Sequence, residues 1–462
     1  MKLISVQDAM KRIEQCAQIP DTHEVIKSGI FRNSERNQTP LFRVEVEWNK
    51  RGEPELDEEG LVSKHTIRAE LDALTGHVIA YYRHDYRTDE EMHEKDIDDR
   101  LYEKVYEQVR KWIEKLGLPI TPAELAVRKK LICNEKWYEL SFSRQYAGIP
   151  FRSYQTFDIR LSTDFALLHL FCRWDDCTCE KEAALIPAEE LLAGFTENQV
   201  SLYYLPVLSL EKPFYVCNEI VIHARTGEIL SSDEIEVLDE IALCRDDCEP
   251  MPEVKWNEQP IFTEGRYEQL RLDDHVKEVD IDSPHPFHPA LTEEEKNRAK
   301  ELVRSYLSTH YADEPFEYMY IRKPDQDCVE GFSENRVVVH VYRMIHRIPL
   351  MMGGGIRFFF DRDTWELVQT FDALDFWNKA KAEKAVAIGQ EARETQGNFR
   401  KALRTRAEAW NALKSKITVK QRYMFDPHYS DPDGLGRKKA IPVWVIDCDW
   451  MYDGLSGELV EL

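Results

Sequence analysis

An α+β fold, built of tandem units that each pack helices on an antiparallel sheet, is what this 462-residue sequence predicts. Three observations lead there. The stretch Trp137 to Trp174 alternates apolar and polar side chains, and Arg336 to Ala373 repeats it at a constant offset. A helix-spaced apolar stripe stands ahead of each copy, and a Thr/Ser-Gly hairpin comes after each. The units are placed at residues 1–96 (a partial unit), 97–255 (a first repeat unit) and 256–462 (a second).

In chain order, Val6 to Ala17 reads as a short amphipathic helix with Met10, Ile13 and Ala17 on one face. A strand is next at Leu41 to Trp48, then a Glu- and Gly-rich polar excursion. Thr66 to Ile79 reads as strand, turn, strand, with Gly76 supplying the positive φ that other residues resist. The same Thr/Ser-Gly step recurs at Thr226-Gly227 and Ser456-Gly457, each time before an aliphatic run. Asp85 to Asp98, dense in charge, and Asp246 to Pro260, broken by Pro250, Pro252 and Pro260, read as linkers.

Asp99 to Leu116 carries Leu101, Val105, Val109, Trp112 and Leu116 at helical spacing, and Gly117 stops it. Its counterpart begins at Thr292, whose partner three residues on, Glu295, makes a capping box; Ala299, Val303, Leu307 and Tyr311 form the buried stripe. In the first repeat Leu140, Phe142, Tyr146, Phe157, Ile159 and Leu161 alternate as strands of a meander, punctuated by Gly148-Ile149-Pro150 and Ser162-Thr163-Asp164. Laid over it without a gap, the second repeat puts Arg343 on Arg144, Ile348-Pro349 on Ile149-Pro150, Asp363 on Asp164, Leu367 on Leu168 and Phe371 on Cys172. Pro187 to Ala193 and Asn378 to Lys416 read as further helices, the latter striped by Phe399, Leu403, Trp410 and Leu413 and interrupted at Gly397.

These motifs resemble the YcdB/YcdC repeat, a relative of the PepSY module. Arg144 to Phe151 with Arg343 to Leu350 carry the resemblance, as do Asp72 to Val78, Ala224 to Leu230 and Asp453 to Leu459. It implies an α+β unit with helix on antiparallel sheet and a non-catalytic role, PepSY modules being associated with binding or restraining peptidases. Many members of such families are exported.

Acidic residues outnumber basic ones 85 to 61, a formal net charge of -24. That balance disfavours nucleic acid, whose phosphates need clustered Lys and Arg, and anionic membrane surfaces. MKLISVQDAMKRIEQ has no unbroken apolar core, so a cytoplasmic protein with reduced cysteines is expected.

Motifs with chemical potential are few. Met351-Met352-Gly353-Gly354-Gly355 lacks the Lys-Ser/Thr of a phosphate loop and precedes a strand, so a bulge or a close backbone approach is its reading. Cys172, Cys177 and Cys179, with Cys244 and Cys248 downstream, are either thiolate ligands or core residues; their spacing departs from paired Cys-x2-Cys knuckles. His285 and His288 are close enough to share a metal, but no carboxylate motif accompanies them and the prolines beside them read as shaping a helix entry, while His340 and His346 share one strand face on the solvated side. Asp164 and Asp363, matched between the repeats, could form a catalytic pair across the two sheets, but turn capping explains each without chemistry and is the expectation. Arg144 and Arg343, mid-strand, either await a carboxylate partner or form ion pairs inside the sheet.

No residue is assigned a catalytic, cofactor-binding or metal-binding role, and no cofactor is expected. The function expected is binding of a protein or peptide partner without catalysis, with a sheet edge near Gly353 to Gly355 as one place for strand addition. A metal-dependent hydrolase assembled from scattered His, Cys and acidic residues is the alternative.

Overall fold

In the computed structural model the chain is described except for residues 1–2, 18, 33–39, 41, 53–63, 85–93, 134, 181–184, 206–208, 233–235, 244–250, 253, 255–268, 271–287, 315, 323–326, 334, 352–353, 375–400, 432–436 and 462. It divides into two compact units. One comprises Met1–Glu182, Phe262–Ser283 and Gln421–Pro442; the other comprises Ala183–Ile261, Pro284–Lys420 and Val443–Leu462.

The first unit is built on an 11-stranded antiparallel sheet. From one end it runs Gln269–Leu270, His23–Arg32, Phe42–Lys50, Ile67–Asp72 and Val78–Arg83, then Leu167–Arg173, Thr156–Ser162, Trp137–Tyr146, Leu125–Cys133 and Glu94–Asp96, with Ile149–Pro150 paired to Trp137–Tyr146. Two helices lie in its core. Val6–Cys16 buries Val6, Ala9, Ile13 and Cys16. Asp99–Leu116 is capped by Asp98, whose carboxylate accepts from Leu101 N at 2.9 Å, and is closed by Gly117 at φ 60°. Val105, Val109, Ile113 and Leu116 join Leu140, Phe142, Phe157 and Ile159 of the sheet in one apolar cluster. Each fully buried side chain of this kind contributes about 1.5–3 kcal/mol.

In the second unit a 7-stranded antiparallel sheet orders Glu236–Glu240, Glu317–Arg322, Arg336–Ile345, Gly355–Asp361 and Leu367–Asp372, with Val329–Ser333 and Ile348–Pro349 paired to Arg336–Ile345. The helix Glu293–His310 starts on the expected capping box: Thr292 Oγ1 accepts from Glu295 N at 3.2 Å, and Glu295 accepts from Thr292 N at 2.7 Å. It buries Ala299, Val303, Tyr306 and Leu307. Two further sets of strands are interleaved along the chain. Val200–Leu205 pairs with Ser209–Cys217, which pairs on to Trp450–Asp453 and through it to Leu459–Glu461, whereas Ile229–Ser232 pairs with Ile220–His223, which pairs on to residues 443–446 of the strand Lys438–Asp447. Consecutive strands of each hairpin segment therefore part to partners in the other.

The expected α+β class, with helices on sheets in tandem PepSY-like units, is not what forms. Antiparallel sheet dominates, with five α-helices among the described residues, three of them of 11 residues or fewer. The reason is one of scale. An 18-residue helix is about 27 Å long, while ten neighbouring strands at about 4.8 Å spacing span about 45 Å. One helix cannot cover such a sheet, and the strand-forming runs His23–Arg32, Ile67–Asp72 and Leu125–Cys133 extend it sideways instead.

The two meanders have the same course over their first strands. Trp137–Tyr146, Ile149–Pro150 and Thr156–Ser162 answer Arg336–Ile345, Ile348–Pro349 and Gly355–Asp361. Tyr146 pairs Ile149 as Ile345 pairs Ile348, and Phe151 N donates to Arg144 O at 3.0 Å as Leu350 N does to Arg343 O. The gap-free overlay fails at the next turn. The left-handed residue is Phe165 (φ 66°) in one and Trp365 (φ 63°) in the other, so the second turn carries one extra residue. Register then sets Cys172 opposite Phe157 and Asp372 opposite Ile356, which makes Asp372, not Phe371, the counterpart of Cys172.

Of the other expectations, the long helix of Asn378 to Lys416 falls mostly outside the described residues, as do most of the linkers at 85–98 and 246–260. The described parts show a helix at Arg406–Leu413 and a strand at Glu94–Asp96.

Candidate functional site

Arg144 and Arg343 are buried, not poised for an external carboxylate. Arg343, 1% exposed, makes a bidentate pair with Asp372 (Nη1–Oδ1 2.8 Å, Nη2–Oδ2 2.6 Å), and its Nε donates to Glu314 at 3.2 Å. Tyr311 and Phe316 stack on the guanidinium at 5.4 and 5.5 Å. Burial works to raise the Asp372 pKa, but the charge and hydrogen bonds of Arg343 overcome it and hold the carboxyl below its ordinary value. Arg144 donates through Nε and Nη2 to Glu124 Oε1 (3.0 and 2.7 Å) and through Nη1 to Asp175 O (2.7 Å), with Phe151 and Trp174 over its faces. The ion pair expected inside the sheet forms for Arg343 with Asp372, whereas the carboxylate that meets Arg144, Glu124, stands in the turn Pro122–Glu124 and not on a strand. With carboxylates from a strand end and from the turn before a strand, both centres are saturated scaffolds.

The cysteines divide. Cys172 is buried in the first unit's core, where desolvation pushes its thiol up to about 12 despite Arg144. Cys177 and Cys179 lie on one short strand that pairs in parallel with Lys438–Ala440. Cys177 donates to Cys179, raising the first thiol and lowering the second. Cys244, Cys248 and His285 lie outside the described residues. Among the described residues no three His, Cys, Asp or Glu side chains gather closely enough to hold a metal ion.

His340 does not face open solvent: it is half-buried and meets Glu330 at 3.1 Å. His346 leaves the strand altogether and sits exposed in a tight turn at φ 51°. His288 is half-buried ahead of Glu293–His310. The turn caps are unequal: Ser162 Oγ accepts from Ala166 N at 2.9 Å, and Asp361 accepts from Asp363 N and Thr364 N at 3.1 Å, leaving Asp363 itself exposed. Gly354 shows the close approach expected of the glycine run, since a Cβ there would lie 2.1 Å from Leu350 O. The strand it enters, Gly355–Asp361, is flanked on both sides, which removes it as an edge for strand addition.

Open edges occur elsewhere. The turns at Gly76, Gly227 and Gly457 have φ 71°, 75° and 81°, as the sequence predicts. The strands that leave these turns differ in their neighbours. Val78–Arg83 is covered on both sides, and its outer edge receives Leu167–Arg173 through Ala80↔Phe171, Tyr81↔Leu170 and Tyr82↔His169. Ile229–Ser232 pairs only with Ile220–His223 among the described residues, and Leu459–Glu461 only with Trp450–Asp453. Ile229 is 57% exposed. The register skips Leu230, a bulge that twists this edge. The sequence marks the turn and the aliphatic strand after it, but sheet order depends on distant partners.

No helix among the described residues is long and apolar enough to cross a membrane. No family model matches the chain, and no curated protein does. Among solved structures it is similar to the Bacillus megaterium YpeB C-terminal domain, with TM-score 0.27 and 10% identity over 50% of this chain and 98% of that chain.

Proposed function

We propose that the protein binds an extended segment of a partner protein, which adds as an antiparallel strand to the edge at Ile229–Ser232. One observation carries this. The same turn-and-strand motif at Val78–Arg83 takes a neighbouring strand on the edge that Ile229–Ser232 leaves open among the described residues. Main-chain hydrogen bonds supply the affinity of such an addition, and an exposed aliphatic such as Ile229 supplies side-chain contact. The net charge of -24, with Asp233, Glu234 and Glu236 next in sequence, favours a segment bearing Lys or Arg and speeds its encounter. By the YcdB/YcdC resemblance of Arg144 to Phe151 and Arg343 to Leu350, a peptidase is the first partner class to test.

Native capture from a cell extract, run in parallel with wild-type bait and Ile229→Lys, tests the proposal. A lysine on an edge strand blocks addition and repels a cationic segment. The expected result is a partner retained by the wild type and lost, or weakened at least about tenfold, with the variant. Equal capture by both baits would overturn the assignment of the edge. Turnover of a small molecule with no specific partner would overturn the binding function.

A further inference from the structure

Where the interleaved strands of the second unit cross, two cysteines distant in sequence meet. The register Val216↔Met451 on one side and Ile220↔Ile446 on the other leaves two short links, Asn218-Glu219 and Cys448-Asp449, facing each other at the crossing. Continued by one residue, the first register brings Cys217 opposite Trp450; continued by two, the second brings Cys448 opposite Asn218. Cys217 and Cys448 are both buried and both free thiols, and they share an apolar cluster with Val200, Tyr215, Leu413 and Tyr452. Cys217 donates to the sulfur of Cys448, so the thiols are within contact of each other. A small cavity lined by Phe195, Gln199, Trp410, Ile417 and Asp447 reaches Cys217, and Cys448 lies behind Cys217, outside that lining, with its own S–H donated to Trp450 O at 3.6 Å.

We infer that Cys217 and Cys448 form an oxidation site, a thiol pair that reduces hydrogen peroxide and closes as an intrachain disulfide across the strand crossing. The Cys448 thiolate attacks one peroxide oxygen, the O–O bond breaks, and the departing hydroxide takes up a proton to leave as water. Cys448 is then a sulfenic acid. The Cys217 sulfur attacks it, the S–O bond breaks, and the hydroxyl leaves as a second water with the Cys217 proton. Two thiols are oxidised and one peroxide is reduced to two waters. The order is set by the environment. The hydrogen bond from Cys217, against the cost of burial, lowers the Cys448 thiol below its ordinary value, whereas donating that bond, together with burial, raises Cys217. The pair Cys177 and Cys179 is less suited, because alternate residues of a strand stand about 6.6 Å apart, at the far end of the Cα separation a disulfide accepts.

Peptide mapping without reductant decides the matter. The folded full-length protein is exposed to hydrogen peroxide, its remaining thiols are alkylated, and its peptides are weighed. The expected product links the peptides of Cys217 and Cys448, two hydrogens lighter than the pair, with two of the ten cysteines lost to alkylation. Cys448→Ser is expected to slow loss of the Cys217 thiol at least about tenfold, since the raised thiol is a poor nucleophile alone. Both residues remaining alkylatable while Cys177 and Cys179 are consumed would overturn the inference, as would oxidation of either without the link. Mapping of the wild-type chain decides by itself if the serine variant does not fold.

Discussion

Arg144 and Arg343 occupy the same step of the same strand corner, and each is sandwiched between two aromatic rings, yet their charges are answered differently. Arg343 meets Asp372 from two strands away, with Glu314 as a second partner. At the place of Asp372 the first unit has Cys172, and Arg144 turns to Glu124 and the carbonyl of Asp175. The corner thus needs a buried cation and is indifferent to where its counter-charge originates. A buried guanidinium left unpaired costs several kcal/mol, so some carboxylate must arrive, from a strand end or from a turn.

Substitutions separate the two corners by degree. Arg343→Leu is expected to destabilise the protein by about 3–5 kcal/mol in denaturant titration, because Asp372 is left charged and buried. Arg144→Leu should cost less, about 1–3 kcal/mol, since Glu124 is more exposed than Asp372 and can turn to water. The same asymmetry predicts a pH effect. The Asp372 pKa is depressed in the folded state, so its stabilisation is complete above the unfolded value of about 3.9 and is lost as pH falls through the lower folded value. Acid titration of Arg343→Leu/Asp372→Leu should lack that component.

The turns at the two corners differ on a smaller scale. Ala147 and Gly148 have φ 51° and 82°, and His346 and Arg347 have φ 51° and 64°. Two positive values in succession make the primed hairpin turn that suits strand twist. Nothing lies within 4 Å of a Cβ at Gly148, so Gly148→Ala should cost about 1 kcal/mol through backbone conformation alone. Arg347→Gly should shift the melting temperature slightly upward or leave it unchanged, since relief of the left-handed strain opposes loss of the exposed pair with Glu240.

Local chemistry was largely legible in the sequence. The Thr292–Glu295 capping box, the stop at Gly117 and the positive φ at Gly76, Gly227 and Gly457 depend on a few neighbouring residues, and each is as expected. Long-range pairing was not. Alternation shows that Ile229 and Leu230 suit a strand but not whether that strand ends a sheet, and nothing local announces that Ser209–Cys217 and Ile220–His223 part company. The extra residue before Trp365 stayed hidden because Leu167 and Leu168 offer two equally good partners to Leu367. With it went the equivalence of Cys172 and Asp372. The meeting of Cys217 with Cys448 was hidden for the same reason: it exists only in the crossing.

On this view the matched arginine corners hold the fold, while the proposed strand addition uses the edge at Ile229–Ser232 that is open among the described residues. Native capture with two variants separates those roles. Arg343→Leu/Asp372→Leu, which removes the charge with its bidentate counter-charge and leaves the partly exposed Glu314 to water, is predicted to stay folded and keep the partner, while Ile229→Lys stays folded and loses it. A folded double-leucine variant that loses the partner, beside an Ile229→Lys variant that keeps it, would refute that division of labour.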